Sequence, residues 1–233
     1  MDQGLSLVGD GPLRPPSEHA PSREPGEARV PLPTPSGPTL SELFAASPRD
    51  GAATGFLLAH LPRDRPLLWV QERMAILEGG RLYPPGLGLS DLIHVEVRDA
   101  RAALWAMEEG LRCAALGAVI GELWGDPRAL DFTATRRLAV AAERYGVAAF
   151  LIRLGGHANL SGARMRWHIG SSPSLPHPFD LRAPGEATWD AELFRARGAV
   201  PGRWTAVRDP ANPVGVVALP PDRALATPER RSA

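Results

Sequence analysis

Residues 92–123 read LIHVEVRDARAALWAMEEGLRCAALGAVIGEL, and this stretch decides the fold. Leu92–Val97 is apolar and β-branched with no helical period, so it reads as a strand. Asp99 is a natural N-cap, and Ala100, Ala103, Leu104, Met107, Leu111 and Ala114 then fall on one helical face. Ala118–Leu123 is a second apolar strand. Strand, helix and strand, with the strands apolar on both faces, make a unit of a parallel sheet covered on both sides.

The same pattern continues outward. Leu67–Gln71 (LLWVQ) and Val147–Leu154 (VAAFLIRL) are further buried strands, and a helix over about 133–145 stops at Gly146, an expected C′ glycine. After residue 154 the period changes. Ala163–Gly170 (ARMRWHIG), Thr188–Ala196 (TWDAELFRA) and Arg203–Val207 (RWTAV) alternate as half-exposed strands, the last two joined across Gly198–Gly202. The expected fold is α/β: a mostly parallel sheet flanked by helices, with a C-terminal antiparallel extension.

Residues 1–38 hold nine prolines and no aromatic, a composition that cannot bury enough apolar surface to offset chain entropy. The expected organisation is a disordered Pro-rich arm over 1–38, an α/β core over 39–180, a β-hairpin extension over 181–210 and a flexible tail over 211–233.

The chain has 233 residues, and its 26 positive charges, all arginine, balance 26 acids. That neutrality argues against a nucleic-acid coat or a polybasic anchor. Without lysine there is neither an ordinary P-loop nor a Schiff base. The single cysteine, Cys113, excludes multi-cysteine zinc sites and a disulfide within the chain, and its place on the helix stripe predicts a buried core thiol. No apolar run approaches the ~18 residues of a membrane span and no secretory segment opens the chain, so a soluble cytoplasmic protein is expected.

Catalytic sets are thin. There is no His-Glu-x-x-His and no Gly-x-Ser-x-Gly elbow. Adjacent Glu108 and Glu109 diverge by ~100° on a helix and read as a solvated face. Glu72 and Glu122 stand at strand ends, which line the ligand crevice of a parallel sheet; a structural role is the alternative for both. No acid lies between Glu143 and Asp180, whereas Arg153, His157, Arg164, Arg166 and Trp167 lie in that stretch, around the loop Gly155–Asn159. Arginines with an aromatic neighbour suit phosphates and stacked bases of single-stranded DNA. The competing reading pairs those arginines with acids from elsewhere. Trp189, Leu193, Phe194 and Trp204, with Arg195 and Arg197, form either a partner-binding hairpin or a satellite core.

Over about residues 39–210 the chain resembles the ImuA family, the RecA-like component of the bacterial inducible mutagenesis cassette. The resemblance rests on GFLLAHL (55–61), GGRLYPPGLG (79–88), LWAMEEGLR (104–112), FTATRRLAVAAE (132–143), SGARMRWHIGSSPS (161–174) and WDAELFRARGAVPGRW (189–204), in that order. It implies a degenerate RecA-like nucleotide site. Gly51, Ala52 and Ala53 stand where RecA-type ATPases carry Gly-Lys-Thr, Gly121 or Glu122 where the Walker B aspartate lies, and Glu72 where the water-activating glutamate lies. One acid without lysine cannot neutralise the charge of phosphoryl transfer, so no enzyme activity and no cofactor are expected, with weak nucleotide binding left open. The resemblance also places a mobile DNA-binding loop after the 147–154 strand. It implies an accessory role in translesion synthesis after DNA damage, beside an ImuB-type inactive Y-family polymerase and, indirectly, an error-prone DnaE-type polymerase. A SulA-like inhibitor of cell division is the alternative.

Overall fold

The computed structural model describes residues 30–87, 89, 91–180, 182–208 and 216–218. In chain order its elements are β1 (Val30–Pro31), β2 (Leu40–Ala45), α1 (Ala52–Leu58), β3 (Leu67–Glu72), α2 (Arg73–Gly79), β4 (Leu92–Val97), α3 (Ala100–Leu111), β5 (Ala118–Trp124), α4 (Phe132–Tyr145), β6 (Ala148–Leu154), β7 (Met165–Ser172), β8 (Thr188–Ala196), β9 (Gly202–Arg208) and β10 (Val216–Ala218). The strands form one sheet in the order β1-β10-β9-β8-β7-β2-β6-β5-β3-β4. From β7 to β4 every ladder is parallel, and from β7 to β1 every ladder is antiparallel. The α/β class and the antiparallel C-terminal extension read from the sequence are both present.

Strand alternation sorts the core into two layers. Leu43, Trp69, Ile120 and Ile152 face α1 and α2, whereas Val70, Val119, Leu151 and Leu40 face α3 and α4. Asp99 and Asp131 cap α3 and α4, their carboxylates accepting the N–H groups of Ala102 and Ala134. Gly146 ends α4 at φ 71, in the left-handed region. Gly121 faces α3 so closely that any Cβ there would collide with Met107 Sδ. Packing thus explains the glycine that stands where the resemblance sought a Walker B aspartate.

Several expectations are corrected. The central strand β2 (LSELFA) carries Ser41 and Glu42 among its apolar residues, which hid it from a search for apolar runs. Strand β7 belongs to both halves of the sheet, parallel to β2 and antiparallel to β8. Cys113 is exposed, because α3 stops at Leu111 and the apolar stripe does not reach it. Val30–Pro31 and Val216–Ala218, assigned above to the arm and the tail, pair with each other at the sheet edge. Residues 1–29, 211–215 and 219–233 of the arm and tail lie outside the described residues.

Candidate functional site

Parallel strands point their C-terminal ends to one edge, which is where α/β sheets bind ligands. At this edge β2 leads through residues 46–51 into α1, the strand–loop–helix arrangement in which backbone N–H groups receive a phosphate. Here the chain supplies its own anion. Asp50 Oδ1 accepts the Ala52 N–H at 2.9 Å, and Asp50 Oδ2 accepts the Ser171 N–H from β7 at 2.9 Å. The Ser171 hydroxyl donates to the same carboxylate. Burial alone would raise the Asp50 pKa, but these hydrogen bonds outweigh it and hold the group below its usual value. Ala52 and Ala53 are buried in the layer beneath α1, and neither carries a cation.

Glu122 and Glu72 are equally committed. Glu122 Oε2 accepts from Trp69 Nε1 at 3.2 Å and from Gln71 Nε2 at 3.1 Å, and His94 completes the network through Gln71 Oε1. Burial raises the Glu122 pKa against those two bonds. A raised carboxylate at a strand end is often a functional signal, yet this one is nearly inaccessible and α2 ends beside it. A Cβ on Gly79 would lie 3.8 Å from Glu122 Oε1, 3.4 Å from the Pro48 carbonyl and 2.9 Å from Leu154 Cδ1. The C-terminal turn of α2 therefore sits close over the ends of β5 and β6 and the loop after β2. Glu72 Oε2 accepts the Trp124 N–H at 2.9 Å. Of the five residues Gly51, Ala52, Ala53, Glu72 and Glu122 at this edge, the last four are packed structure and Gly51 alone is exposed.

The acid-free stretch has its acids elsewhere in the sheet. Arg166 Nε stands 2.7 Å from Glu42 Oε2, with both side chains buried. Arg153, whose side chain is 0% exposed, reaches Asp126 Oδ1 at 2.6 Å and Glu42 Oε1 at 3.8 Å. Phe44 lies between the two guanidiniums, 5.3 Å from each. Trp167 is buried against Phe56 on the opposite face. Arg153, Arg166 and Trp167 consequently cannot touch a strand of DNA lying outside the protein. Arg164 is partly exposed and held by Glu143 at 2.7 Å, and His157 is open to solvent. The glycine loop is tethered as well, since Asp126 accepts both the His157 N–H at 2.9 Å and its Nδ1 at 2.8 Å.

The proposed hairpin is part of the same sheet. Trp189 and Leu193 are core residues, with the Trp189 ring edge-on to Phe56 at 5.9 Å. Trp204 packs 6.1 Å from Trp167, and Phe194 stacks on His168 at 4.4 Å. Of the six residues named for a partner, only Arg195 and Arg197 are exposed. Missed in the sequence were Asp50, Glu42 and Asp126, each of which organises its neighbours from a distant segment. No local spacing announces such a contact.

Among the described residues no group of His, Cys, Asp and Glu is arranged to hold a metal ion. No described helix is long and apolar enough to cross a membrane.

Fold and edge together define a class: a mostly parallel α/β protein in which the loop between β2 and α1 is held by its own Asp50 carboxylate. No family model matches the chain. It is 34% identical over 172 residues to Protein ImuA of Caulobacter vibrioides, in two strains, across 66% of this chain and 67% of that protein. The chain belongs to the ImuA family.

Proposed function

We propose that this protein is a non-catalytic, RecA-like accessory component of error-prone translesion synthesis in the DNA damage (SOS) response, and that it works by binding an ImuB-type inactive Y-family polymerase. The observation that carries the non-catalytic reading is the Asp50 carboxylate on the Ala52 N–H. A fixed negative charge there repels the phosphate that a nucleotide would bring. A chain without lysine has no ammonium to offset it. Membership of the ImuA family supports the place in a mutagenesis cassette. The RecA-like reading is supported by a central parallel strand that leads through a loop into a helix, within a sheet covered on both faces.

With Arg153, Arg166 and Trp167 buried, we assign DNA contact to the polymerase partners. The exposed Arg195 and Arg197 at the end of β8 are the residues we assign to the ImuB-type partner. The test is affinity purification of the tagged chain from cells treated with a DNA-damaging agent. Recovery of the ImuB-type protein, reproduced with the two purified proteins, is the expected result. Recovery of the cell-division GTPase FtsZ in its place would transfer the protein to the SulA-like class.

A further inference from the structure

The outer face of α4 carries a regular stripe. Phe132, Arg136, Val140 and Arg144 stand at successive four-residue steps, so they line one side of the helix about 6 Å apart. All four are exposed, and the two apolar members are the notable ones: Phe132 is 41% exposed and Val140 48%. Beside the stripe, α3 and α4 enclose a groove of about 310 Å³ whose lining includes Val140, Ala141, Tyr145 and Arg112. On the α3 side Trp105, 66% exposed, lies on the helical flank that also carries Glu108 and Arg112.

The cations of this face differ in their commitments. Arg137 is paired with Glu108 at 2.7 Å, and Arg112 lies 3.6 Å from Glu109. Arg144 rests over the Tyr145 ring at 5.4 Å, and Arg136 has no ion-pair partner among the described residues. Val140 is therefore an exposed apolar spot with a guanidinium one helical turn to either side, neither of them in an ion pair among the described residues. Arginine around an apolar anchor is the composition of protein interfaces.

We propose that the α3–α4 groove is a docking site for an acidic, helical peptide segment of a partner protein. Such a segment places an aliphatic side chain on Val140 and Ala141, and carboxylates one turn before and one turn after it on Arg136 and Arg144. A helix laid in a groove is read through anchors at this spacing. A nucleic acid fits less well. The groove's other wall carries Glu108, and a continuous polyanion would pass that carboxylate while leaving the apolar centre unfilled. The site lies on α3 and α4, apart from Arg195 and Arg197 at the end of β8, so the two surfaces can be tested independently.

The probe is a fluorescein-labelled 15-residue peptide of Ala and Gln, with one central Leu and a Glu four residues to either side. Fluorescence anisotropy with the full chain should show saturable binding. Arg136→Glu with Arg144→Glu should weaken it at least tenfold, and so should Val140→Ser alone. Arg195→Glu with Arg197→Glu should leave it unchanged, so that loss of ImuB-type binding and loss of peptide binding remain separate results. Replacing both peptide glutamates by lysine should abolish the signal. Absence of saturable binding overturns the proposal, as does binding indifferent to the α4 substitutions in variants that keep the parent's thermal transition. A twenty-residue oligothymidylate that binds and loses its affinity with Arg136 and Arg144, while the peptide does not bind, would assign the groove to nucleic acid and overturn it too.

Discussion

Glu42 on β2 and Arg166 on β7 form a buried ion pair, Oε2 to Nε 2.7 Å, on adjacent parallel strands at the junction between the parallel and antiparallel halves of the sheet. Arg153 on β6 approaches the same carboxylate from the other side of β2. One glutamate thus joins three neighbouring strands through charge. Breaking a buried pair by removing one partner leaves an uncompensated charge, at about 3–5 kcal/mol. Glu42→Ala is expected to lose an amount of that order, because it leaves the Arg166 guanidinium buried without its ion-pair partner and takes from Arg153 one of its two carboxylates. Urea denaturation with the m-value held constant measures it. A loss under about 1 kcal/mol would show that the cluster behaves like a surface pair.

Asp50 ties the loop after β2 to the end of β7. Asp50→Ala removes the acceptor for the Ala52 and Ser171 N–H groups, and is expected to cost about 1–2 kcal/mol. Its folded pKa is depressed, so its contribution is complete above the unfolded value near 3.8 and is lost as pH falls through the folded one. The gap in thermal midpoint between the parent and Asp50→Ala should therefore be constant at neutral pH and narrow below about pH 4. A gap that widens in acid contradicts this.

Glu122 has the opposite sign. Burial holds its pKa above 4.5, so the folded chain takes up its proton more readily and is penalised as pH rises through the raised value. Glu122→Gln keeps an oxygen for Trp69 and Gln71 and removes the charge. The variant should gain stability relative to the parent between pH 5 and pH 8 (a range above the ~4.3 of an unperturbed glutamate). Chemical denaturation at the two pH values reads the difference, and a parent that gains on the variant as pH rises would refute it.

The C-terminal strands are integral to the fold. Truncation before Thr188 strips β7 of its antiparallel partner and exposes the face on which Trp189, Ala191 and Leu193 pack. The truncated chain is expected to lose its cooperative thermal transition. Arg195→Glu with Arg197→Glu should keep that transition and weaken ImuB-type binding by more than tenfold. Undiminished binding in that variant would move the partner surface elsewhere.

The sequence was most legible where a rule is local. Asp99 as a cap, Gly146 as a terminator and the bounds of the strand Leu92–Val97 all depend on neighbours within a few residues and appear as read, although that strand is the half-exposed edge of the sheet rather than covered on both faces. The site was least legible because its partners are distant. Arg166 and Glu42 are separated by 124 positions, so a run of arginines without acids looked like a basic surface while its counter-charges waited on β2 and in the loop after β5. The hairpin tryptophans posed the same problem: exposure depends on Phe56 from α1, which nothing near Trp189 discloses. Asp50 was passed over because a carboxylate beside a glycine in a loop is ordinary until Ser171 is placed against it.

The central claim is that this protein works without nucleotide, and equilibrium dialysis with radiolabelled ATP and magnesium tests it most directly, together with phosphate release in the presence and absence of single-stranded DNA. The account predicts no saturable binding at millimolar nucleotide and no turnover above a mock purification. Saturable ATP binding displaced by ADP, or a steady turnover that scales with protein and falls on Glu72→Gln, would contradict it.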